Sequence, residues 1–156
     1  MSTVQFPALI RMAAAIAVCV WAVSGFCGEF HETGGAAIQG FDVVAYHVDG
    51  RAVKGSGEYT GEYKGSIFHF KSAAHRDLFL ATPEKYAPQY GGYCAFGTAR
   101  GYKAVTSPEA FSIVDGKLYL NYDAKVQAMW LQDKPGYIRK ADENWSTVAK
   151  TTKVLR

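Results

Sequence analysis

The pair Asp115-Gly116 is the feature that most restricts how this chain can fold. Asp-Gly is favoured at the two central positions of a type I′ turn, where both residues take positive φ angles. Apolar and polar residues alternate on both sides of the pair, in the sequence FSIVDGKLYL at residues 111–120. The pattern predicts two short antiparallel strands joined by a tight turn.

A second hairpin and a helix are predicted earlier in the chain. Lys64-Gly65 separates two runs typical of strands, at residues 58–63 and 66–71. Ser72 is a good N-cap for a helix over residues 73–81. The β-branched run at residues 41–46 is typical of a buried strand.

Two helices are predicted at the C-terminal end. Apolar residues recur within residues 123–131, and the sequence DKPG at 133–136 is expected to close this helix. A second helix carries apolar residues at helical spacing, namely Ile138, Ala141, Trp145 and Val148. Together these patterns predict an α+β fold of small antiparallel β-hairpins and short helices, followed by C-terminal helices.

The N-terminal segment predicts export. Arg11 precedes an uncharged apolar run over residues 12–24, which is short for a membrane span and typical of a secretory signal. We expect residues 1–28 to be a signal peptide, cleaved after Ser24 or after Cys27, in a periplasmic or secreted bacterial protein without a transmembrane span. The alternatives are a retained N-terminal anchor and a lipoprotein attached at Cys27.

One domain is expected beyond the signal, over residues 38–148, with a flexible arm at 29–37 and a frayed tail at 149–156. The chain has 17 Lys and Arg against 14 Asp and Glu, a net charge of +3, and these charges are scattered singly. A nucleic-acid-binding protein would present a clustered basic face, so this class is excluded. Since no P-loop, GxGxxG, CxxC or Ser/His/Asp pattern occurs, we expect no enzymatic activity.

The residues best suited to a binding or catalytic role are soft metal ligands. Cys94, His69 and His75 are the candidate metal site, with His47 and Met129 as more remote candidates. A thiolate with one or two imidazoles suits copper or zinc. Each residue also has an ordinary interpretation, because a small cysteine packs well in a core and a histidine on a helix often faces solvent.

Aromatic residues are concentrated between the candidate ligands and the C-terminal hairpin. Such a cluster forms either a hydrophobic core or the wall of a small-molecule pocket with hydroxyl groups for orientation. Its members are Tyr86, Tyr90, Tyr93, Phe96 and Tyr102.

Three segments together resemble the YHS domain family. They are AIQGFDVVAY at residues 37–46, YKGSIFHFKS at 63–72 and PEKYAPQYGGYC at 83–94. The resemblance covers residues 37–97, with an extension to Trp145 that is similar to exported members. It implies a short α+β module, similar to treble-clef metal-binding domains, of a kind found in copper-transporting ATPases, in phenol hydroxylase components and as free-standing exported proteins.

The cysteines of the metal-binding members fall here on Ala45, Lys71 and His75, of which only His75 offers a donor atom. The leading expectation is an exported protein that binds copper weakly or transiently through Cys94, His69 and His75. One alternative is an interaction module, for a small ligand or a protein partner, in which the ancestral metal site has become core. Another is a redox protein in which Cys94 reacts directly.

Overall fold

The computed structural model describes residues 29–156 of the chain, so the predicted signal peptide lies outside the described residues. The helices are α1 Val43–Val48, α2 Ala73–Ala81, α3 Pro83–Tyr86, α4 Ala95–Ala99, α5 Ala124–Leu131 and α6 Lys134–Val148. The strands are β1 Glu32–Thr33, β2 Ala36–Ala37, β3 Ser56–Tyr63, β4 Ser66–Phe70, β5 Lys103–Ala104, β6 Phe111–Val114, β7 Lys117–Leu120 and β8 Val154–Leu155. This arrangement confirms the α+β fold class. None of the helices described between residues 29 and 156 is long and apolar enough to cross a membrane.

The strands form four two-stranded sheets within the described chain. β1 and β2, β3 and β4, and β6 and β7 pair antiparallel, whereas β5 and β8 pair parallel. Both predicted hairpins are confirmed. Their turns have positive φ at both central residues, 48° and 76° at Lys64-Gly65 and 50° and 72° at Asp115-Gly116, as type I′ geometry requires.

The predicted strand at residues 41–46 is wrong, because the chain enters helix α1 at Val43. Asp42 is its N-cap, and the carboxylate accepts the N–H groups of Val44 at 2.9 Å and Ala45 at 3.2 Å. Because the cap accepts these N–H groups, they need no hydrogen-bond partner on a neighbouring strand. All four residues from Val43 to Tyr46 are buried. The apolar run that indicated a buried strand is therefore a buried helix.

The core consists of two clusters of buried side chains. The first cluster joins α1, the β3–β4 hairpin and α2, with Phe68, Phe70 and Phe79 fully buried at its centre. The second cluster joins α4, β7, α5 and α6 around Trp130. The C-terminal helices thus pack in the second cluster, which also holds Cys94.

Both ends of the described chain contain short strands that the sequence does not predict. The expected flexible arm contains the β1–β2 hairpin, and Phe30 packs in the first cluster. The expected frayed tail contains β8, which pairs with β5. Lys103 also binds this tail, because its ammonium donates hydrogen bonds to the carbonyl oxygens of Ala149 and Thr151, both at 2.9 Å.

The sequence DKPG begins a helix rather than ending one. Helix α6 starts at Lys134, with Pro135 in its first turn, where a missing N–H costs no helical hydrogen bond. Asp133 is the N-cap and accepts the N–H of Gly136 at 3.0 Å. Helix α2 has its predicted bounds and its predicted cap, as Ser72 accepts the N–H of His75.

We expect Gly55→Ala to destabilise the protein. A Cβ atom at this position would lie 2.5 Å from the backbone carbon and oxygen of His69, which cannot rotate away. Relieving this overlap should lower the free energy of unfolding by about 1–3 kcal/mol, measured from urea unfolding curves.

Gly57→Ala is the matched control. Its Cβ would lie 3.9 Å from the nearest atom, Cε1 of His69, which is an ordinary contact. Neither glycine has a positive φ, so the two substitutions differ in the space available. Equal destabilisation by both substitutions would contradict the explanation.

Candidate functional site

His75 lies at the start of α2, and its imidazole is engaged by Asp42. Nδ1 of His75 is 2.8 Å from Oδ2 of Asp42, and the two side chains are 8% and 0% exposed. A carboxylate can only accept, so Nδ1 of His75 carries the donated hydrogen. Nε2 is then the ring nitrogen left for any ligand, an arrangement that also orients metal-binding histidines.

The carboxylate of Asp42 has further partners within the same core. Besides capping α1 it accepts the N–H of Lys71 at 2.9 Å, at the point where β4 leads into α2. Asp42 therefore joins α1, the end of β4 and α2 through one fully buried side chain. This role is structural and needs no metal.

His69 lies on the opposite face of β4 from Phe68 and Phe70, as predicted, and is half-buried. Its Nδ1 and the ammonium of Lys54 are each 3.5 Å from the point that a Cβ at Gly40 would occupy. A metal ion bound at this Nδ1 would therefore meet a nearby positive charge.

His47 packs edge-on against the ring of Tyr86, with the ring centroids 5.3 Å apart. Its Nε2 is buried and has no hydrogen-bond partner among the described residues. Burial lowers the pKa of His47, and the charge of Lys85 lowers it further. The neutral imidazole is thus favoured, and the contact with Tyr86 makes it part of the packing.

Cys94 is the N-cap of α4 and is 2% exposed. Its sulfur accepts the N–H of Gly97 at 3.4 Å, and the thiol lies 3.8 Å from Oδ1 of Asn121, which accepts from it. Burial raises the pKa of the Cys94 thiol, although the hydrogen bond from Gly97 offsets part of the effect. A reactive redox cysteine needs a depressed pKa, whereas burial shifts the pKa of Cys94 in the opposite direction.

A cavity of about 300 Å³ lies against Cys94. We call it the Cys94 cavity; it is lined by Cys94, Phe96, Tyr102, Ala104, Tyr122, Val126, Met129 and Leu155. Apolar and aromatic side chains form most of this wall. Cys94 and Met129, two of the residues singled out in the sequence, therefore face one space.

The three predicted metal ligands do not form one group. Cys94 packs in the second cluster, whereas His75 is held by Asp42 beside the first cluster and His69 lies next to Lys54. Between residues 29 and 156, no three His, Cys, Asp or Glu side chains are placed to hold a metal ion together. Ligation by these residues individually stays a prediction.

The aromatic concentration divides between core and cavities. Tyr86, Tyr90 and Phe96 are buried, as a core requires. Phe96 and Tyr102 also line the Cys94 cavity, and Tyr90 lines a second cleft beside α6. Both interpretations of the aromatic residues therefore apply, to different side chains.

Comparison with known families matches residues 44–90 to the YHS domain. These residues are a YHS domain. The matched segment runs from α1 to the residue before Gly91 and includes His69 and His75. No curated protein and no solved structure matches the chain.

The YHS domain coincides with most of the first cluster, whereas Cys94 lies beyond the matched residues. The Cys94 cavity is therefore built by the segment that follows the YHS domain. The sequence alone does not identify Asn121, which accepts the hydrogen bond of the Cys94 thiol. The two residues are 27 positions apart, so no local pattern connects them. Asp42 could have been found, since an aspartate directly before an apolar run is a helix-cap signal.

We expect Asp42→Ala to destabilise the protein strongly. Three backbone N–H groups and the imidazole of His75 would lose their acceptor inside the core. The expected loss in free energy of unfolding is about 3–5 kcal/mol, measured by urea unfolding.

Asp123→Ala is the control, since Asp123 caps α5 by accepting a single N–H, that of Val126 at 2.7 Å. Its expected cost is about 1 kcal/mol. If both variants lost the same stability, Asp42 would be an ordinary helix cap.

Proposed function

We propose that this protein is a non-catalytic binding module that holds a small apolar ligand in the Cys94 cavity. The observation that carries the proposal is the composition of the cavity wall, in which Ala104, Val126 and Leu155 adjoin aromatic rings and sulfur. Small-molecule sites are concave and mostly apolar, with few polar groups for orientation. The proposal makes the segment after the YHS domain the functional part of the chain.

The wall favours a neutral ligand. No Asp, Glu, Lys or Arg belongs to the lining of the Cys94 cavity. Burial raises the pKa of Cys94, which keeps the thiol protonated and uncharged at neutral pH. A charged ligand would lose its hydration here without gaining a partner.

Polar groups at the wall can still orient a ligand. Tyr102, which is half-buried, and Tyr122, which is 40% exposed, both line the cavity and carry its phenol groups. A ligand with one hydroxyl or carbonyl group fits this distribution, with its apolar end towards Met129 and Cys94.

We expect the purified full chain to bind toluene and indole, detected by changes in NMR amide shifts of the cavity residues. Val126→Phe should fill part of the cavity and weaken binding by about tenfold or more. Val48→Phe is the matched control, because Val48 is 57% exposed on α1 and does not line the cavity.

Shift changes that map elsewhere, or binding that Val126→Phe leaves intact, would overturn the proposal. Circular dichroism of both variants establishes that the comparison is made between folded proteins. The two substitutions add the same atoms, so a general effect of added bulk would appear in both.

Copper(I) is a second candidate ligand, favoured by the two sulfur atoms at one cavity. Thiolate and thioether are soft donors that suit Cu(I), and Cys94 and Met129 supply one of each. The thiol must lose its proton on binding, so affinity should rise with pH. Export of the protein, which the N-terminal segment predicts, would place such a site outside the cytoplasm.

The test is an anaerobic competition titration against a chromophoric Cu(I) chelator, with Cys19→Ser and Cys27→Ser in every sample to remove the other thiols. Cys94→Ala should abolish binding, and Met129→Leu should weaken it by about tenfold. His69→Ala and His75→Ala should change it little.

Loss of binding in the histidine variants, with Met129→Leu unaffected, would place copper at the histidines instead. No binding above that of Cys94→Ala would remove copper from consideration and leave the apolar ligand.

A further inference from the structure

A second cleft lies where the YHS domain meets helix α6. Its volume is about 300 Å³, and we call it the Trp145 cleft. Tyr63, Lys64 and Glu84 line it from the YHS domain, and Asp142 and Trp145 line it from α6. The cleft shares no lining residue with the Cys94 cavity.

Aromatic rings form a fixed part of the wall. Tyr90 is buried, and its ring packs on Trp145 with centroids 5.8 Å apart and an interplanar angle of 62°. Its hydroxyl donates to Oδ1 of Asp142 at 2.8 Å and lies 3.3 Å from the carbonyl oxygen of Ile138. Tyr90 thereby holds the Asp142 carboxylate beside the Trp145 ring.

Tyr63 and Glu84, which also line the cleft, repeat this combination. The hydroxyl of Tyr63 donates to Oε1 of Glu84 at 3.1 Å. Each carboxylate therefore stands next to an aromatic ring, and one oxygen of each is engaged by a phenol. The second oxygen of each carboxylate remains able to accept another donor.

The charge of the lining is negative. Glu29, Glu84 and Asp142 contribute three carboxylates, and Lys64 contributes one ammonium group. The sum at neutral pH is two negative charges in a concave surface, which raises the local concentration of cations. Aromatic faces add to this attraction, because their π-electrons favour a cation.

An ammonium group already occupies the rim. Nζ of Lys64 lies 3.0 Å from Oε2 of Glu29 and 5.4 Å from the centroid of the Tyr63 ring. A hydrogen bond to a carboxylate and contact with an aromatic face are thus combined on one primary ammonium. The rest of the cleft offers the same pair of groups at Asp142 and Trp145.

We propose that the Trp145 cleft binds the primary ammonium group of an alkylamine, with the ammonium on Asp142 and Glu84 and the alkyl chain on Trp145. A primary ammonium supplies three N–H donors for the carboxylates, which a quaternary ammonium lacks. The same group occurs in free amines and in lysine side chains of peptides, and the cleft recognises the chemistry common to both.

The test follows the tryptophan fluorescence and the indole N–H shift of Trp145 in the purified full chain, titrated with butylammonium at low salt. Asp142→Asn and Trp145→Leu should each weaken binding by about fivefold or more. Asp142→Asn keeps an oxygen that accepts the Tyr90 hydroxyl, so it removes charge without removing that hydrogen bond.

Glu62→Gln is the matched control. It also removes one exposed carboxylate, and Glu62 lies on the β3–β4 hairpin but does not line the cleft. It should change the affinity by less than about twofold. Raising the salt concentration from about 0.02 M to about 0.5 M should weaken binding to the unsubstituted protein.

Two further ligands specify the chemistry. Tetramethylammonium should bind more weakly than butylammonium, since it donates no hydrogen bond. Nα-acetyl-lysine amide identifies the source: tighter binding than butylammonium favours a lysine-bearing peptide, and weaker binding favours a free amine. Equal effects of Asp142→Asn and Glu62→Gln, or no response of the Trp145 indole, would overturn the proposal.

Discussion

The fold depends on the buried carboxylate of Asp42. It caps α1, accepts the N–H of Lys71 and fixes the imidazole of His75, so three separate parts of the first cluster meet at one side chain. A carboxylate without these donors would be too costly to bury. His75, one of the metal ligands that the YHS resemblance suggests, therefore has its Nδ1 engaged in a hydrogen bond within the core, and only its Nε2 is left for a ligand.

The positions of the two cavities follow from the division of the core into two clusters. The YHS domain contributes phenylalanine rings to the first cluster, whereas the following segment packs α4, α5 and α6 around Trp130 and Cys94, beside a cavity. The Cys94 cavity lies within this second region, and the Trp145 cleft lies between the regions. The Cys94 cavity and the hydrogen bonds of Asp42 thus lie in different parts of the structure, so substitutions can test the proposed binding and the stability separately.

The sequence predicts elements whose determinants are local. Two type I′ turns and the Ser72 cap have the expected bounds because a few neighbouring residues set them. The run at 41–46 was misassigned because apolar periodicity does not separate a buried strand from a buried helix. The pairing of Cys94 with Asn121, and of β8 with β5, depends on contacts distant along the chain, so no local pattern carries it.

The parallel pairing of β8 with β5 has a practical consequence. Leu155 of β8 forms part of the Cys94 cavity wall, and its carbonyl accepts the N–H of Val105 at 3.0 Å. Strand β8 thus supplies part of the cavity wall. An affinity tag fused after Arg156 would lie close to this wall, so binding measurements call for a tag that is removed or placed elsewhere.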